Sequence, residues 1–365
     1  MLATAALALL LAACVTVPRG SAPPASAVPG SGSVAPSALA SPASPSASPT
    51  VPDPSQLAAG STPPSSAIPS RSAVPSIGYI SLDGSQAYGQ AIGAGIREAA
   101  ATAGIQLVEC DSGWTRAGVQ ACIDTLAAAG VHGVISFQPI ADLAPELCRA
   151  TGDAPTIGIV YDQGPCQVSL LQIDQAESGR LAGAELGRFA AERWDCDVKA
   201  YLSLGSDAED PIGGARMEGF RSGYQEECPL PDDTRALSGA QYLATAQTQI
   251  AAVLDKVKGR PIVVAGVSDI AILGAMAAAA AAGRENHLWY AGQLAEPAIR
   301  EVIACDDHMV ASVAQFPERY GGIVVPALLD AIAGREVPPQ LQAELELVTA
   351  ANVRQLFPDT GACDE

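Results

Sequence analysis

Side chains that could carry covalent or metal chemistry are few in this sequence, and their spacing matches no catalytic pattern. The histidines, His132, His287 and His308, are scattered, and none stands at metal-ligand spacing from another. No CxxC pair occurs, so a zinc centre is not expected. GxxxxGK[ST], HExxH, SxxK and GxSxG are all missing; Gly266-Val267-Ser268-Asp269-Ile270 comes nearest to the last and lacks its second glycine. Lys199, Lys256 and Lys258 are the only lysines, and none follows a glycine-rich loop. Gly93-Ala94-Gly95 is half of a dinucleotide fingerprint, with Glu98 where its final glycine would stand. Those glycines fall inside an apolar stripe of helical period, where helix packing is the better explanation. The acidic run Asp207–Asp210 reads as a solvated loop rather than a paired acid and base. Catalytic residues, cofactor and metal are all expected to be none, and the chain is read as a non-enzyme.

Cys14 has a more specific setting. Residues Leu2–Ala13 are apolar except for Thr4 and end in Leu11-Ala12-Ala13-Cys14. The run is shorter than the roughly 20 residues that span a bilayer and has the length of a signal-peptide core. A small-residue site followed at once by cysteine resembles a bacterial lipobox, which implies cleavage before Cys14 and lipidation of its thiol. No Lys or Arg precedes the run; the alternative is an ordinary secretory signal with Cys14 incidental. Residues 15–75 follow as a Pro/Ser/Ala-rich tether. From Pro18 to Pro75 the chain holds 14 of its 28 prolines, no aromatic residue and only Arg19, Asp53 and Arg71 as charges. Such a stretch cannot bury enough apolar surface to offset its ordering entropy, so a disordered tether is expected.

The formal net charge is −19. A strongly acidic chain without basic clusters does not track a phosphate backbone, which argues against nucleic acid as a partner. It also repels anionic lipid, so contact with the membrane should come only through the lipid anchor. Aromatic residues make up 4% of the chain, so Ala, Val, Ile and Leu must build the core, which suits helices packed on parallel sheets.

From Ile77 onward, apolar runs of strand length alternate with Ala-rich segments of helical period. Strands are expected at Ile77–Leu82, Ile105–Val108, Val134–Phe137, Thr156–Tyr161, Val198–Leu204, Ile262–Ala265, Leu288–Ala291 and Val310–Val313. Helices are expected at Ser178–Arg193, Gly214–Glu226, Thr245–Val257, Ile270–Ala282, Pro297–Ala304 and Tyr320–Ala333, with stripes such as Ile92, Ile96, Ala99 and Ala103 before them. The fold class is therefore α/β with parallel sheets of right-handed βαβ units, too long for one core and so divided into two lobes. Ligands of such sheets bind beyond the carboxyl ends of the strands, which here places a site between the lobes.

With Cys14 lipidated, eight cysteines remain in an exported chain, which suggests disulfides. They allow 105 pairings, and sequence alone does not select one. On this fold Cys196 and Cys228 both lie just before strands at one sheet edge. Cys110 with Cys122, Cys148 with Cys166, and Cys305 with Cys363 are the remaining sequence neighbours; several buried free thiols are the alternative.

Six segments together resemble the type I periplasmic sugar-binding proteins of ABC importers: IGYISLDGSQAYGQAIGAGIREAAATAG (77–104), GVHGVISFQP (130–139), IDQAESGRLAGAELG (173–187), ARMEGFRSGY (215–224), SDIAILGAMAAAAAAG (268–283) and VASVAQFPERYGG (310–322). An export signal precedes them instead of a helix-turn-helix, which separates the chain from the related repressors. The resemblance implies two Rossmann-like lobes joined by three crossings, near Tyr161–Gln163, Gln315 and Gln342. Lobe 1 would span 76–162 completed by 316–342, and lobe 2 would span 163–315 completed by 343–360. It implies a sugar or sugar-like ligand, an ABC transporter permease as partner, a monomer, and a location on the outer face of the bacterial membrane. A sensor domain presenting its closed form to a signalling partner, and a degenerate surface interaction module, are the rival readings.

Carried over residue by residue, the resemblance is partial. Tyr88 takes the stacking position of the first βα loop, which Asp83 and Ser85 share. Gln138 stands where an Asn is frequent; the gripping Asp three residues on is Ala141, with Asp142 as a substitute. Arg216 matches the ligand-binding Arg. Ser268-Asp269 replaces an Asn-Asp pair, Gln293 falls where an Asp is expected, and Gln315 matches the hinge-side Gln. Each has a plainer role: Tyr88 capping the first strand, Arg216 ion-paired with Asp207, Glu209 or Asp210, Asp269 as a helix N-cap, and Gln315 satisfying hinge backbone. Trp114 and Trp194 read as packing residues.

Overall fold

A computed structural model describes residues 75–208 and 210–363. Cys14, the signal segment 1–14 and the tether up to residue 74 lie outside the described residues.

The first sheet is built from β1 (Ser76–Ser81), β2 (Gln106–Asp111), β3 (Gly133–Ser136), β4 (Thr156–Ile159), β5 (Gln167–Gln172) and, much later in the chain, β11 (Gln340–Gln342). Its order is β11-β5-β4-β3-β1-β2, and every pairing is parallel. Helices α1 (Ala87–Ala103) and α9 (Tyr320–Ile332) cover one face, where Ile92, Ile96, Val324 and Leu328 meet Ile77, Tyr79 and Ile135. Helices α2 (Arg116–Ala129) and α3 (Ala144–Ala150) cover the other, with Ile123, Leu126 and Leu147 against Ile80 and Val134.

The second sheet holds β6 (Ala200–Leu204), β7 (Thr234–Leu237), β8 (Ile262–Gly266), β9 (Leu288–Leu294), β10 (Met309–Ala314) and β12 (Glu346–Val348), in the order β12-β10-β9-β8-β6-β7. Only β12 runs antiparallel, against β10. Helices α4 (Gln175–Trp194) and α5 (Pro211–Glu227) pack on one face; α6 (Leu243–Leu254), α7 (Asp269–Ala281) and α8 (Pro297–Cys305) pack on the other. With both faces covered, the central strands are buried from end to end, which is why they read as unbroken apolar runs. A short α10 (Val353–Leu356) closes the described chain.

The first crossing differs from the expected one. β5 pairs with β4 and β11, so the first lobe continues through Gln172, and the crossing follows β5 instead of lying at Tyr161–Gln163. The segment Gln167–Gln172 mixes three polar residues with Val168, Leu170 and Leu171 near a sheet edge, so no continuous apolar run announces it. The other crossings follow β10, at Gln315, and separate β11 from β12.

All eight described cysteines are paired, as Cys110–Cys122, Cys148–Cys166, Cys196–Cys228 and Cys305–Cys363. Each pair stays within one lobe and staples a helix to a neighbouring segment, so the covalent constraints stiffen the lobes and leave the crossings free.

The helix glycines are packing devices. A Cβ at Gly95 would collide with the Glu318 carbonyl, so α1 can touch the turn before α9 only without one. Along α4 and α5 the same holds in both directions. Gly179 and Gly183 face the carbonyls of Arg216 and Phe220, while Gly219 and Gly223 face those of Ala176 and Arg180. Backbone therefore touches backbone along this pair. The substitution Gly183→Val should force the helices apart and cost about 3 kcal/mol or more. Thermal unfolding would then fall by roughly 6 °C or more; an unchanged midpoint in differential scanning calorimetry would contradict this packing.

Candidate functional site

Loops after the strands of both sheets face one another across a cleft of about 440 Å³. Leu82 and Asp83 follow β1, Trp114 follows β2, Phe137 follows β3, and Val160 and Tyr161 follow β4. On the other side, Ser206 and Asp207 follow β6, Gln241 and Tyr242 follow β7, Val267 and Ser268 follow β8, and Leu294 and Glu296 follow β9. Gln315, on the second crossing, completes the lining. Three lining residues, Trp114, Val160 and Leu294, sit at positive φ (61°, 65° and 95°), a conformation that non-glycine side chains adopt at a cost.

Arg216 is the central polar group. It projects from α5, is 8% exposed, and has no carboxylate at ion-pair distance among the described residues. Its Nε donates to Gln175 Oε1 at 2.9 Å, Nη2 donates to the same oxygen, and Nη1 donates to the Val267 carbonyl at 2.6 Å. A guanidinium has five N–H donors, so these three contacts leave two without a partner among the described residues. Burial holds its pKa below the ordinary value. Of the expected ion pairs, those with Asp207 and Asp210 do not form, and Glu209 lies outside the described residues. Asp210 instead caps α5 through Ile212 N, and Asp207 accepts from Gln241 Nε2 at 3.2 Å. The close approach at Gly179 brings α4 near enough for Gln175 to reach the guanidinium.

Gln315 is 1% exposed. Its Oε1 accepts from the Tyr88 hydroxyl at 3.1 Å, and the Tyr320 hydroxyl lies 2.9 Å from that of Tyr88. Its Nε2 is buried and has no partner. Gln241 Oε1, in the same lining, is also buried without one. Unmet donors and acceptors inside a protein are costly; Tyr79, Tyr201, Tyr224, Trp289 and Thr360 also hold buried unpaired atoms, but of these residues only Gln315 and Gln241 line the cleft. Burial pushes the Tyr88 hydroxyl up to about 12, so it stays protonated and can donate. The Tyr88 ring meets Phe137 edge-on at 6.5 Å, and Phe137 stacks on Tyr161 at 6.0 Å, which gives the first lobe an aromatic wall.

Of the residues expected from sequence, Asp83, Tyr88, Arg216, Ser268 and Gln315 line the cleft. Ser268 is committed locally: its Oγ accepts from Ala271 N as the N-cap of α7 and donates to the Gln241 carbonyl. The cap is thus Ser268, not Asp269. Ser85 points away from the lining and serves Asp83, donating to Oδ1 through both N and Oγ and holding that carboxyl below its usual range. Asp142 does not substitute for the missing Asp; it is exposed and ion-paired with Arg116. Gln138 is locked beneath the floor, where its Nε2 donates to Gln163 Oε1 at 2.8 Å and its Oε1 accepts from Ile140 N at 2.6 Å. Gln293 is wholly buried and bonded to Ser178 on α4 through both amide atoms. Asp269 is equally buried, accepting from Glu296 N and Ser312 Oγ, both at 2.8 Å, and so ties α7 to the loop after β9 and to β10.

Trp194 packs in the second lobe, 4.6 Å from Trp289. Trp114 does not pack: it is 49% exposed and lines the cleft. The residues that sequence reasoning passed over are Trp114, Gln175, Gln241, Tyr242 and the acids Asp207 and Asp210. Their common signal is position, since each lies within a few residues of a strand's carboxyl end or at the start of the helix after it.

Two lobes of parallel sheet, three crossings and a polar cleft at the strand ends define a two-lobed solute clamp. Residues 77–336 match the model of the periplasmic binding protein domain family, and the chain belongs to that family. No curated protein sequence matches it. Among solved structures, it is similar to an ABC transporter solute-binding protein from Mycobacterium smegmatis with bound glycerol, at TM-score 0.68 and 17% identity, over 80% of this chain and 100% of that one. A periplasmic ribose ABC transporter protein from Conexibacter woesei gives TM-score 0.67 and 18% identity, over 79% and 96%. A periplasmic solute-binding protein from Actinobacillus succinogenes with bound D-allose gives 0.66 and 16%, over 77% and 99%.

Two stability predictions arise from this geometry. Arg216→Met keeps the stem and removes a buried cation that has no ion-pair partner among the described residues. The unliganded variant should melt within about 2 °C of the parent or above it, and a large drop would show that Arg216 holds the fold together. Burial pushes the Asp269 carboxyl from 3.8 up to about 8. The folded state then keeps a proton that the unfolded chain has released, so stability from this group is full below about pH 4 and is lost as pH rises through about 8. Asp269→Asn mimics the protonated form. Relative to that variant, the parent should lose stability between pH 5 and pH 8 in urea titrations; parallel profiles would contradict the shift.

Proposed function

We propose that this protein is the extracytoplasmic solute-binding component of an ABC importer, closing its two lobes on a sugar or polyol. The observation that carries the reading is the set of unmet polar groups in one cleft: two Arg216 N–H donors, the Gln315 Nε2 donor and the Gln241 Oε1 acceptor. A polyol hydroxyl both donates and accepts, so it suits such a mixed set. The apolar face of a sugar ring suits the wall of Tyr88, Phe137 and Tyr161. Family membership and the sugars and polyols bound by similar structures support the same class of ligand.

The chain performs no chemistry in this reading. Ligand favours the closed form in proportion to its differential affinity for that form, and the closed form docks on a membrane permease. Cys14 and the residues up to 75 serve as lipid anchor and tether, holding the clamp at the outer face of the membrane. The protein acts as a monomer.

Isothermal titration of residues 75–365 with pentoses, hexoses, deoxy-sugars and polyols tests the reading. At least one compound should bind with a Kd of about 10 µM or tighter, and Arg216→Met should weaken it about 10- to 100-fold through loss of charge-assisted hydrogen bonds. A folded protein that binds nothing in the panel would refute the reading.

A further inference from the structure

At the cleft mouth the first lobe contributes Trp114 and the second contributes Tyr242. They are 49% and 61% exposed and, with Leu243, are the large apolar side chains left in solvent among the described residues. Both line the same cavity as Arg216 and Gln315.

The Trp114 loop is tied down from several sides. Trp114 N donates to the Leu82 carbonyl at 2.9 Å, and Ser112 N donates to the Ser81 carbonyl. Asp111 accepts from Ser81 Oγ, Gly84 N and Gly113 N. Thr115 caps α2 through Gly118 N, and Cys110–Cys122 staples the strand before the loop to the helix after it. Trp114 is therefore presented outward at positive φ by a rigid frame, a costly arrangement for a ring left half exposed.

Beside Tyr242, Gln241 gives a second and independent observation. Its Nε2 is committed to Asp207, while its Oε1 is buried and unpaired, an acceptor waiting for a donor. The cavity of about 440 Å³ falls within the range of about 300–1,000 Å³ that holds ligands well beyond a single sugar ring.

We infer that the cleft takes a disaccharide. One ring lies on the floor against Arg216, Gln315 and Tyr88; the second lies at the mouth, flanked by Trp114 and Tyr242, with one of its hydroxyls donating to Gln241 Oε1. Rigid aromatic faces presented in advance suit ring stacking, because little side-chain freedom remains to be lost on binding. The inference rests on the sugar reading above and narrows its substrate class.

The test is calorimetric titration of the full chain with D-glucose, D-galactose, D-xylose and L-arabinose, and with disaccharides built from them. The best disaccharide should bind about 10-fold or more tightly than either component sugar. Trp114→Ala should weaken the disaccharide about 10-fold or more and a monosaccharide by less than about 3-fold, while Trp114→Phe, which keeps a flat ring, should retain most of the affinity. Gln241→Leu should likewise weaken the disaccharide more than a monosaccharide. Monosaccharides binding as tightly as disaccharides would overturn the inference and leave the sugar reading standing. So would a Trp114→Ala effect equal for both classes. Binding of neither class by folded protein would overturn both.

Discussion

Arg216 is a buried guanidinium held only by carbonyl oxygens. Taking a charge out of water is unfavourable, and the ordinary remedy is an opposite charge at contact distance. Here two acids of the same cleft, Asp210 and Asp207, are used elsewhere, Asp210 as a helix cap and Asp207 on Gln241. The second lobe can hold the cation because α4 and α5 meet backbone to backbone through their glycines, which sets Gln175 beside the guanidinium and leaves the Val267 carbonyl exposed to it. The remaining donors face a cleft that water or a hydroxyl-rich ligand can enter. The site is thus destabilised when empty of partners, and binding relieves that condition.

The rest of the architecture serves the cleft. Parallel strands deliver their carboxyl ends to one side of each sheet, so successive loops of both lobes converge there without any special device. Disulfides stiffen each lobe and avoid the crossings. On the second crossing, Gln315 is joined through Tyr88 to Tyr320 at the start of α9, so the aromatic wall, the first lobe's covering helix and the crossing share one hydrogen-bonded chain. A ligand that engages Gln315 Nε2 therefore acts on a residue common to both lobes, which is where a hinge-closing contact is most effective.

The fold was legible because central parallel strands must be apolar throughout, and β1, β8 and β10 are. Edge strands lack that constraint. Thr234–Leu237, Gln340–Gln342 and Glu346–Val348 are short and partly polar, and Gln167–Gln172, one strand in from the edge, is half polar, so no apolar run marks these four and the expected first crossing lies too early. The site was legible as a set of strand-end positions but not as a set of orientations. Gln138, Gln293 and Asp269 stand where binding residues would, yet each turns inward to meet Gln163, Ser178 or Ser312. Whether a polar side chain at a strand end faces the cleft or the core depends on partners far away in sequence, which local spacing does not encode. Trp114 illustrates the converse: its exposure follows from one left-handed backbone angle and a stapled loop.

The most direct measurement is a crystal structure of the protein with a bound sugar. The account predicts Arg216 and Gln315 Nε2 each within about 3.2 Å of a ligand oxygen, with the lobes closed over the ring. A sugar bound elsewhere, or bound in the cleft with Gln315 Nε2 still unpaired and Arg216 touching only Gln175 and Val267, would contradict it.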